Sequence, residues 1–273
     1  MTISGTSSIF LMLADPIAQV RSPVLFNEMF LDRGIDAIMV PLNVSADGIE
    51  AFWSTLRHLK NVKGLIVSVP FKAAACRLSD HVGPRAARIG TANAVRRDPD
   101  GRFFAENFDG MGFIEALRRG GHGIAGQRAL LVGAGGAGSA IAFSLAEEGV
   151  NSLTIADIDQ ARAAALAESV SRAVPRCRVA AGLADPAGHD LIVNATPLGM
   201  RADDPLSLLA AHLLPTMTVM DIIMKPRETP LLKRALAIGC RVQYGAEMTG
   251  SQMALWMEFF RIGELPRLSS TRM

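Results

Sequence analysis

The sequence predicts an α/β protein of two domains, and three observations carry that prediction. Its 273 residues exceed the usual size of a single domain. Short apolar runs of strand length alternate with segments of helical spacing, the order expected of sheets covered by helices. Midway, the apolar run Arg128 to Val132 opens into Gly133-Ala134-Gly135-Gly136-Ala137-Gly138 and leaves as an alanine-rich helix. The expected layout is an open α/β domain over residues 1–110 and a doubly wound, Rossmann-like domain over 111–243. A closing helix and tail over 244–273 should return to the first domain.

The elements follow in order. Ser7 to Ala14 is an apolar run closed by Asp15-Pro16, as suits a buried parallel strand. Ser22-Pro23 gives a helix start, with Ser22 as N-cap and Pro23 at the first helical position, and Gly34 gives its stop. A strand at Ala37 to Leu42 precedes a helix from about Asp47, where Ile49, Phe52, Trp53, Leu56 and Leu59 keep helical spacing. Gly64 to Val69 is a third strand, broken by Pro70, with Lys72 at its carboxyl end. In open α/β sheets ligands bind beyond the carboxyl ends of the strands, so Lys72 is either a functional cation or a solvated first-turn lysine of the helix Ala73 to Leu78. Gly90 to Val95 and Arg102 to Glu106 read as a hairpin turned by Asp98-Pro99-Asp100-Gly101. Asn107-Phe108-Asp109-Gly110 then leads into the helix Met111 to Arg118, for which Asp109 is an N-cap candidate.

Gly133, Gly135 and Gly138 fit G-x-G-x-x-G between a strand and a helix, the context in which the pattern marks a dinucleotide site. The first glycine allows the tight turn, the second admits the pyrophosphate to the backbone, and the third lets the helix pack closely on the strand. The helix N-terminus offers unpaired N–H groups to the phosphates. Asn151 to Ala156 is a second strand, with Asp157 at its end, nineteen positions beyond Gly138. A carboxylate there accepts both adenine-ribose hydroxyls and repels a 2′-phosphate, which predicts NAD rather than NADP. The alternative is a loop acid or the N-cap of a helix beginning near Asp159. Helices at Gln160 to Ala173 and Pro230 to Ile238, strands at Asp190 to Asn194, Thr218 to Asp221 and Cys240 to Gln243, and a closing helix from about Gly245 to Arg261 complete the chain. Leu265 to Met273 is expected as a frayed tail.

Composition narrows the partners. Hydrophobic residues make up 49% of the chain, net charge is +2, and the 28 basic residues are scattered, so a small molecule is expected rather than nucleic acid. Cys76, Cys177 and Cys240 are odd in number and widely spaced, which fits a reducing cytoplasm. No histidine lies at metal-ligand spacing from another or from a cysteine, so no metal site is indicated. Met1 to Ser8 lack the basic start and apolar core of a signal peptide, and no run approaches a membrane span. A homodimer stays open, because no interface stripe can be told from core.

Taken together, these stretches resemble the shikimate dehydrogenase family from about Phe10 to Phe260. The counterparts of its motifs are Asp15-Pro16-Ile17 with Ser22-Pro23, Val67 to Lys72, Ala92-Asn93, Asn107 to Gly110, Gly133 to Ala137, Asn194 to Met200, Asp221 with Pro226 and Thr229, and Gly245 with Met248 and Gln252. The resemblance implies oxidation of a ring hydroxyl on shikimate or a close relative, coupled to reduction of a nicotinamide cofactor in the cleft between domains. Lys72 and Asp109 would bracket the reacting hydroxyl; a partly desolvated lysine can take and return a proton near neutral pH. Ser22, Ser68, Asn93 and Gln252 would bind substrate. Asn194, Thr196, Ile222, Gly245 and Met248 would surround the nicotinamide.

Four positions depart from the family pattern. Val20 and Met224 stand where the family has the serine and tyrosine that bind the substrate carboxylate, and Ile66 and Phe108 where it has asparagine and threonine. Four polar groups would thus have become apolar around one pocket. Each neutral partner removed costs on the order of 1–3 kcal/mol. The expected activity is therefore an NAD-dependent dehydrogenase acting weakly on shikimate or on a less polar cyclic hydroxy acid. The alternatives are a quinate or aminoshikimate dehydrogenase outside the main aromatic pathway, and a non-catalytic NAD- or metabolite-binding module.

Overall fold

The computed structural model describes residues 3–266; most of the expected tail, 267–273, lies outside the described residues. The chain divides into two compact units, one formed by residues up to Phe108 with those from Met253 onward, the other by Asp109–Gln252.

The first unit runs β1 (Ser8–Ala14), α1 (Ser22–Asp32), β2 (Ala37–Asn43), α2 (Ile49–Leu56), β3 (Val62–Val67), α3 (Lys72–Leu78), β4 (His81–Val82), α4 (Pro84–Ile89), β5 (Ala94–Arg97) and β6 (Phe103–Glu106). Its sheet has the order β2-β1-β3-β5-β6-β4, with β1, β2 and β3 parallel and β5 antiparallel to both neighbours. The inner strands β1 and β3 are buried almost throughout, which is why β1 is apolar after Ser8 and β3 after Lys63, while the edge strand β2 alternates. Successive side chains point to opposite faces. Leu11 and Leu13 pack with Trp53, Leu56, Phe71 and Phe103. Phe10 instead stacks on Phe30 at 5.6 Å and meets Phe260 at 5.3 Å, with Phe26 lying 6.1 Å from Trp256. The end of the closing helix thus completes the core of the first unit.

Two local expectations are corrected. Ser22 does not cap α1: it is the first helical residue, Arg21 holds the cap position, and no side chain bonds the free N–H groups there. Asp109 is the first residue of its helix rather than a residue preceding it. The short β4 and α4 were not expected, because two and six residues are too few for periodicity to show.

The second unit runs α5 (Asp109–Arg119), β7 (Arg128–Val132), α6 (Gly136–Glu147), β8 (Ser152–Ala156), α7 (Gln160–Ala173), β9 (Arg178–Ala181), β10 (Leu191–Asn194), β11 (Thr218–Asp221), α8 (Pro230–Ile238), β12 (Arg241–Tyr244) and α9 (Gly245–Phe259), of which the residues up to Gln252 belong here. All six strands are parallel, in the order β12-β11-β10-β7-β8-β9. That order reverses direction between β7 and β10, the switch point where doubly wound sheets open a crevice for ligand. β9 was not foreseen because it is a mostly exposed edge strand without an apolar run.

Candidate functional site

At the switch point, β7 is followed by Gly133 with φ +107°, a conformation that excludes an ordinary side chain. A Cβ on Gly138 would lie 2.0 Å from the Gly133 carbonyl oxygen, so α6 can sit this close to the turn only without one. Gly135 is exposed, and a Cβ there would meet nothing within 4 Å, which leaves the outer side of the turn open beside the first N–H groups of α6. Ala134 N–H donates to Asp157 Oδ2 at 2.7 Å, and Asp159 N–H donates to the other oxygen at 2.9 Å. Asp157 is thereby fixed across the ends of β7 and β8, and Asp159, not Asp157, caps α7 by accepting from Arg162 N–H at 3.0 Å. The open turn, Gly136 and Ala137 at the helix start and the carboxylate beyond β8 fit a dinucleotide, with its phosphates on the helix end and its adenine ribose at Asp157.

Sequence reasoning passed over Arg162. Its guanidinium lies 3.8 Å from Asp157 and 3.3 Å from Asp159, on the exposed rim of the same turn. The signal available was its position five residues after Asp157, in the first turn of α7.

Across the switch point, β10 delivers Asn194 and Thr196. Asn194 is fully buried; its amide donates to the Leu198 carbonyl, and its oxygen accepts from the Thr196 hydroxyl at 2.7 Å. These two groups shape the turn that faces Gly133. At the end of β11, Asp221 accepts from Thr229 Oγ1 at 2.7 Å and from Ile223 N–H at 3.1 Å, and Thr229 also caps α8 through Leu232 N–H. Burial pushes the Asp221 carboxyl above its ordinary range against the bonds from Thr229, Ile223 and Asn194. Asp221 therefore anchors both ends of the loop that carries Ile222 and Met224, a role its sequence did not reveal. A Cβ on Gly245 would fall 2.4 Å from the Ile222 carbonyl carbon, so α9 begins hard against this loop with Met248 buried one turn on.

On the same unit, Asp109 opens α5 with 5% exposure, at the helix end that favours a negative charge. Gln252 of α9, also buried, donates to Asp109 Oδ1 at 3.3 Å. The carboxylate expected to act at the substrate is thus held by one of the residues expected to bind it.

In the first unit, Ser68 follows β3 and its N–H donates to the Leu13 carbonyl at 2.8 Å, while Lys72 opens α3 half-buried. Asn93 is buried between these segments: its N–H donates to the Glu106 carbonyl, its carbonyl accepts from Val67 N–H, and its side chain accepts from Phe108 N–H at 2.9 Å. Ser22 is buried at the start of α1. The unit presents Ser68, Lys72 and Asn93 from neighbouring strand ends.

The four apolar departures do not form one set. Ile66 lies inside β3, paired in register with Met12 and Ala94, and Phe108 packs edge-on against Phe259 at 5.2 Å beneath the Arg85 guanidinium. Both are core residues of the first unit. Val20 and Met224 are half-buried, one on each unit. Among the described residues, no group of three or more histidine, cysteine or acidic side chains is placed to hold a metal, and no helix is long and apolar enough to cross a membrane.

Comparison with known proteins agrees with this geometry. Residues 12–95 match the shikimate dehydrogenase substrate binding domain, and residues 115–197 match the shikimate / quinate 5-dehydrogenase family. The shikimate dehydrogenase (NADP(+)) of Rhodospirillum rubrum is 38% identical over 257 residues, covering 90% of this chain and 89% of its own. The crystal structure of shikimate 5-dehydrogenase from Listeria monocytogenes in complex with shikimate and NAD superposes with a TM-score of 0.86 at 29% identity, over 97% of this chain and 96% of that one. The 5-ketofructose reductase of Gluconobacter sp. strain CHM43 gives 0.83 at 26% identity, over 96% and 95%. The two parallel-rich sheets, the glycine turn at the switch point and these likenesses over nearly the whole length agree: the chain belongs to the shikimate/quinate dehydrogenase family of oxidoreductases.

Proposed function

We propose that the protein is an NAD-dependent oxidoreductase that interconverts a ring alcohol, shikimate or a related cyclic hydroxy acid, with its ketone. The observation that carries this reading is the buried Asp109 at the start of α5, held by Gln252, in a chain that also keeps Lys72 at the end of the β3 segment. When bound, the nicotinamide supplies the hydride acceptor. Lys72 takes the hydroxyl proton on oxidation and returns it on reduction, and Asp109 keeps that hydroxyl in line. Ser22, Ser68 and Asn93 bind the ring, while Gly133 to Ala137, Asn194, Thr196, Ile222, Gly245 and Met248 seat the cofactor. The preference for NAD rests on Asp157. The Rhodospirillum relative is named for NADP(+), whereas the Listeria structure holds NAD, so membership of the family does not decide the cofactor.

The test is dinucleotide reduction with shikimate, quinate and aminoshikimate, using NAD and NADP side by side. Turnover of a ring alcohol with NAD preferred is expected, and kcat/KM across the three identifies a quinate or aminoshikimate dehydrogenase. NAD binding without turnover of any ring alcohol would overturn the reading in favour of a binding module. Because a protein of this fold is named for an uncharged ketose, polyols and their ketones belong in the same screen.

A further inference from the structure

Along α9, Gly245, Met248, Thr249 and Gln252 stand at positions i, i+3, i+4 and i+7, and so share one face. Gln252 of that face holds Asp109. Thr249, about one helical turn before it, is half-buried, and its hydroxyl donates to Met224 Sδ at 2.9 Å. A thioether is a weak acceptor, so this bond costs little to exchange for one to an oxygen. The Thr249 hydroxyl retains acceptor lone pairs, and the Met224 side chain beside it is apolar and half-buried. Of the cations of the same loop, Lys225 is exposed, and Arg227 lies over the Tyr244 ring at 4.5 Å and 3.6 Å from Glu247.

We propose that Thr249, with Met224 against its hydroxyl, is a substrate-selecting residue, and that the group it takes is an uncharged hydroxyl or hydroxymethyl substituent remote from the reacting carbon rather than a carboxylate. This rests on the reading that Asp109, held by Gln252, keeps the reacting hydroxyl of a ring alcohol in line, and it replaces the hydroxy acid of that reading with an uncharged polyol. One neutral hydroxyl beside a thioether can pair with a substrate hydroxyl in either direction, as donor or as acceptor. A carboxylate seated there would be stripped of water with a single neutral donor in return.

The test compares shikimate with the cyclohexene triol that carries CH2OH in place of its carboxylate, using the full chain with NAD. The uncharged compound is expected to have the higher kcat/KM by at least tenfold. Thr249→Val, which keeps the shape and removes the hydroxyl, should lower the ratio of the two kcat/KM values about tenfold, and Thr249→Ser should restore it. Calorimetry in the presence of NADH supplies a second readout: Thr249→Val should weaken binding of the uncharged compound about tenfold. Loss of that binding supports the assignment even where neither compound is turned over, in which case the oxidoreductase reading fails instead. A preference for shikimate in the unaltered protein, or an unchanged ratio and unchanged binding in Thr249→Val, overturns it.

Discussion

Replacing Asp157 by asparagine removes one charge and changes almost no volume, so its effect on cofactor choice can be worked from the surrounding contacts. The side chain is 8% exposed, and its two oxygens accept from two different backbone N–H groups, those of Ala134 and Asp159. Asparagine keeps one acceptor oxygen and leaves one of those donors unmatched, at about 1–2 kcal/mol. A ribose 2′-phosphate at the end of β8 would sit roughly 5 Å from the carboxylate, where repulsion per unit charge is about 3 kcal/mol at an effective dielectric constant near 20. Removing that repulsion favours NADP about a hundredfold, and losing a charged acceptor for the ribose hydroxyls costs NAD about tenfold more. Arg162, 3.8 Å from Asp157, becomes available to the phosphate. The ratio of kcat/KM for NAD over NADP should therefore fall about a thousandfold in Asp157→Asn, and part of the gain for NADP should vanish in Asp157→Asn/Arg162→Ala. Steady-state kinetics with one ring alcohol, together with NADH and NADPH affinities from nicotinamide fluorescence, read both effects. A ratio that moves less than tenfold in a protein with an unchanged circular dichroism spectrum would refute the assignment of Asp157.

Gly138→Ala places a methyl 2.0 Å from the Gly133 carbonyl oxygen, so α6 or the turn must shift by about an ångström; dinucleotide affinity should fall at least tenfold by fluorescence titration. Lys72→Ala should lower kcat by about 10²–10⁴ while the NADH affinity stays within twofold, and retained turnover would remove Lys72 from its role. Asp221 has its carboxyl pKa raised in the folded state, so the fold binds its proton more tightly than the unfolded chain, and stability declines as pH rises from about 3.8, the ordinary value, through the folded pKa. Thermal unfolding against pH should show that decline reduced in Asp221→Asn, and parallel profiles would contradict it. Phe260→Ala opens the aromatic cluster of the first unit and should cost about 3–5 kcal/mol by denaturant unfolding.

The sequence made legible what local pattern and spacing encode. β1 after Ser8 and β3 after Lys63 are apolar because both faces are covered, and the glycine turn is visible because Gly133, at φ +107°, and Gly138, against the Gly133 carbonyl, are each required by backbone geometry. Ser22-Pro23 misled because Pro23 alone suffices to start α1, leaving the serine inside the first turn. Asp221 and Thr229 could be matched to a pattern, but their work is tertiary: a carboxylate wholly buried at the end of β11 ties down a loop eight residues long. Thr249 gave no signal, since its partner Met224 is 25 residues away and a lone threonine within a helix is unremarked.

The burial of the four apolar departures changes what each one says about substrate. A polar side chain at position 66 would have to be satisfied between β1 and β5, and one at position 108 would forfeit the ring contact with Phe259 and the Arg85 guanidinium above it. Isoleucine and phenylalanine at these sites are explained by the core they complete, because buried apolar area stabilises it by about 25 cal/mol per Å² and leaves no partner wanting. They therefore carry no information about polarity in the bound molecule. Met224 is different, for it is half-buried and engages a hydroxyl that a substrate could claim. Of the four departures, Met224 is the one on the Asp109 unit, and with the Thr249 hydroxyl against it the pair answers to the substrate, for which an uncharged polyol is the class proposed.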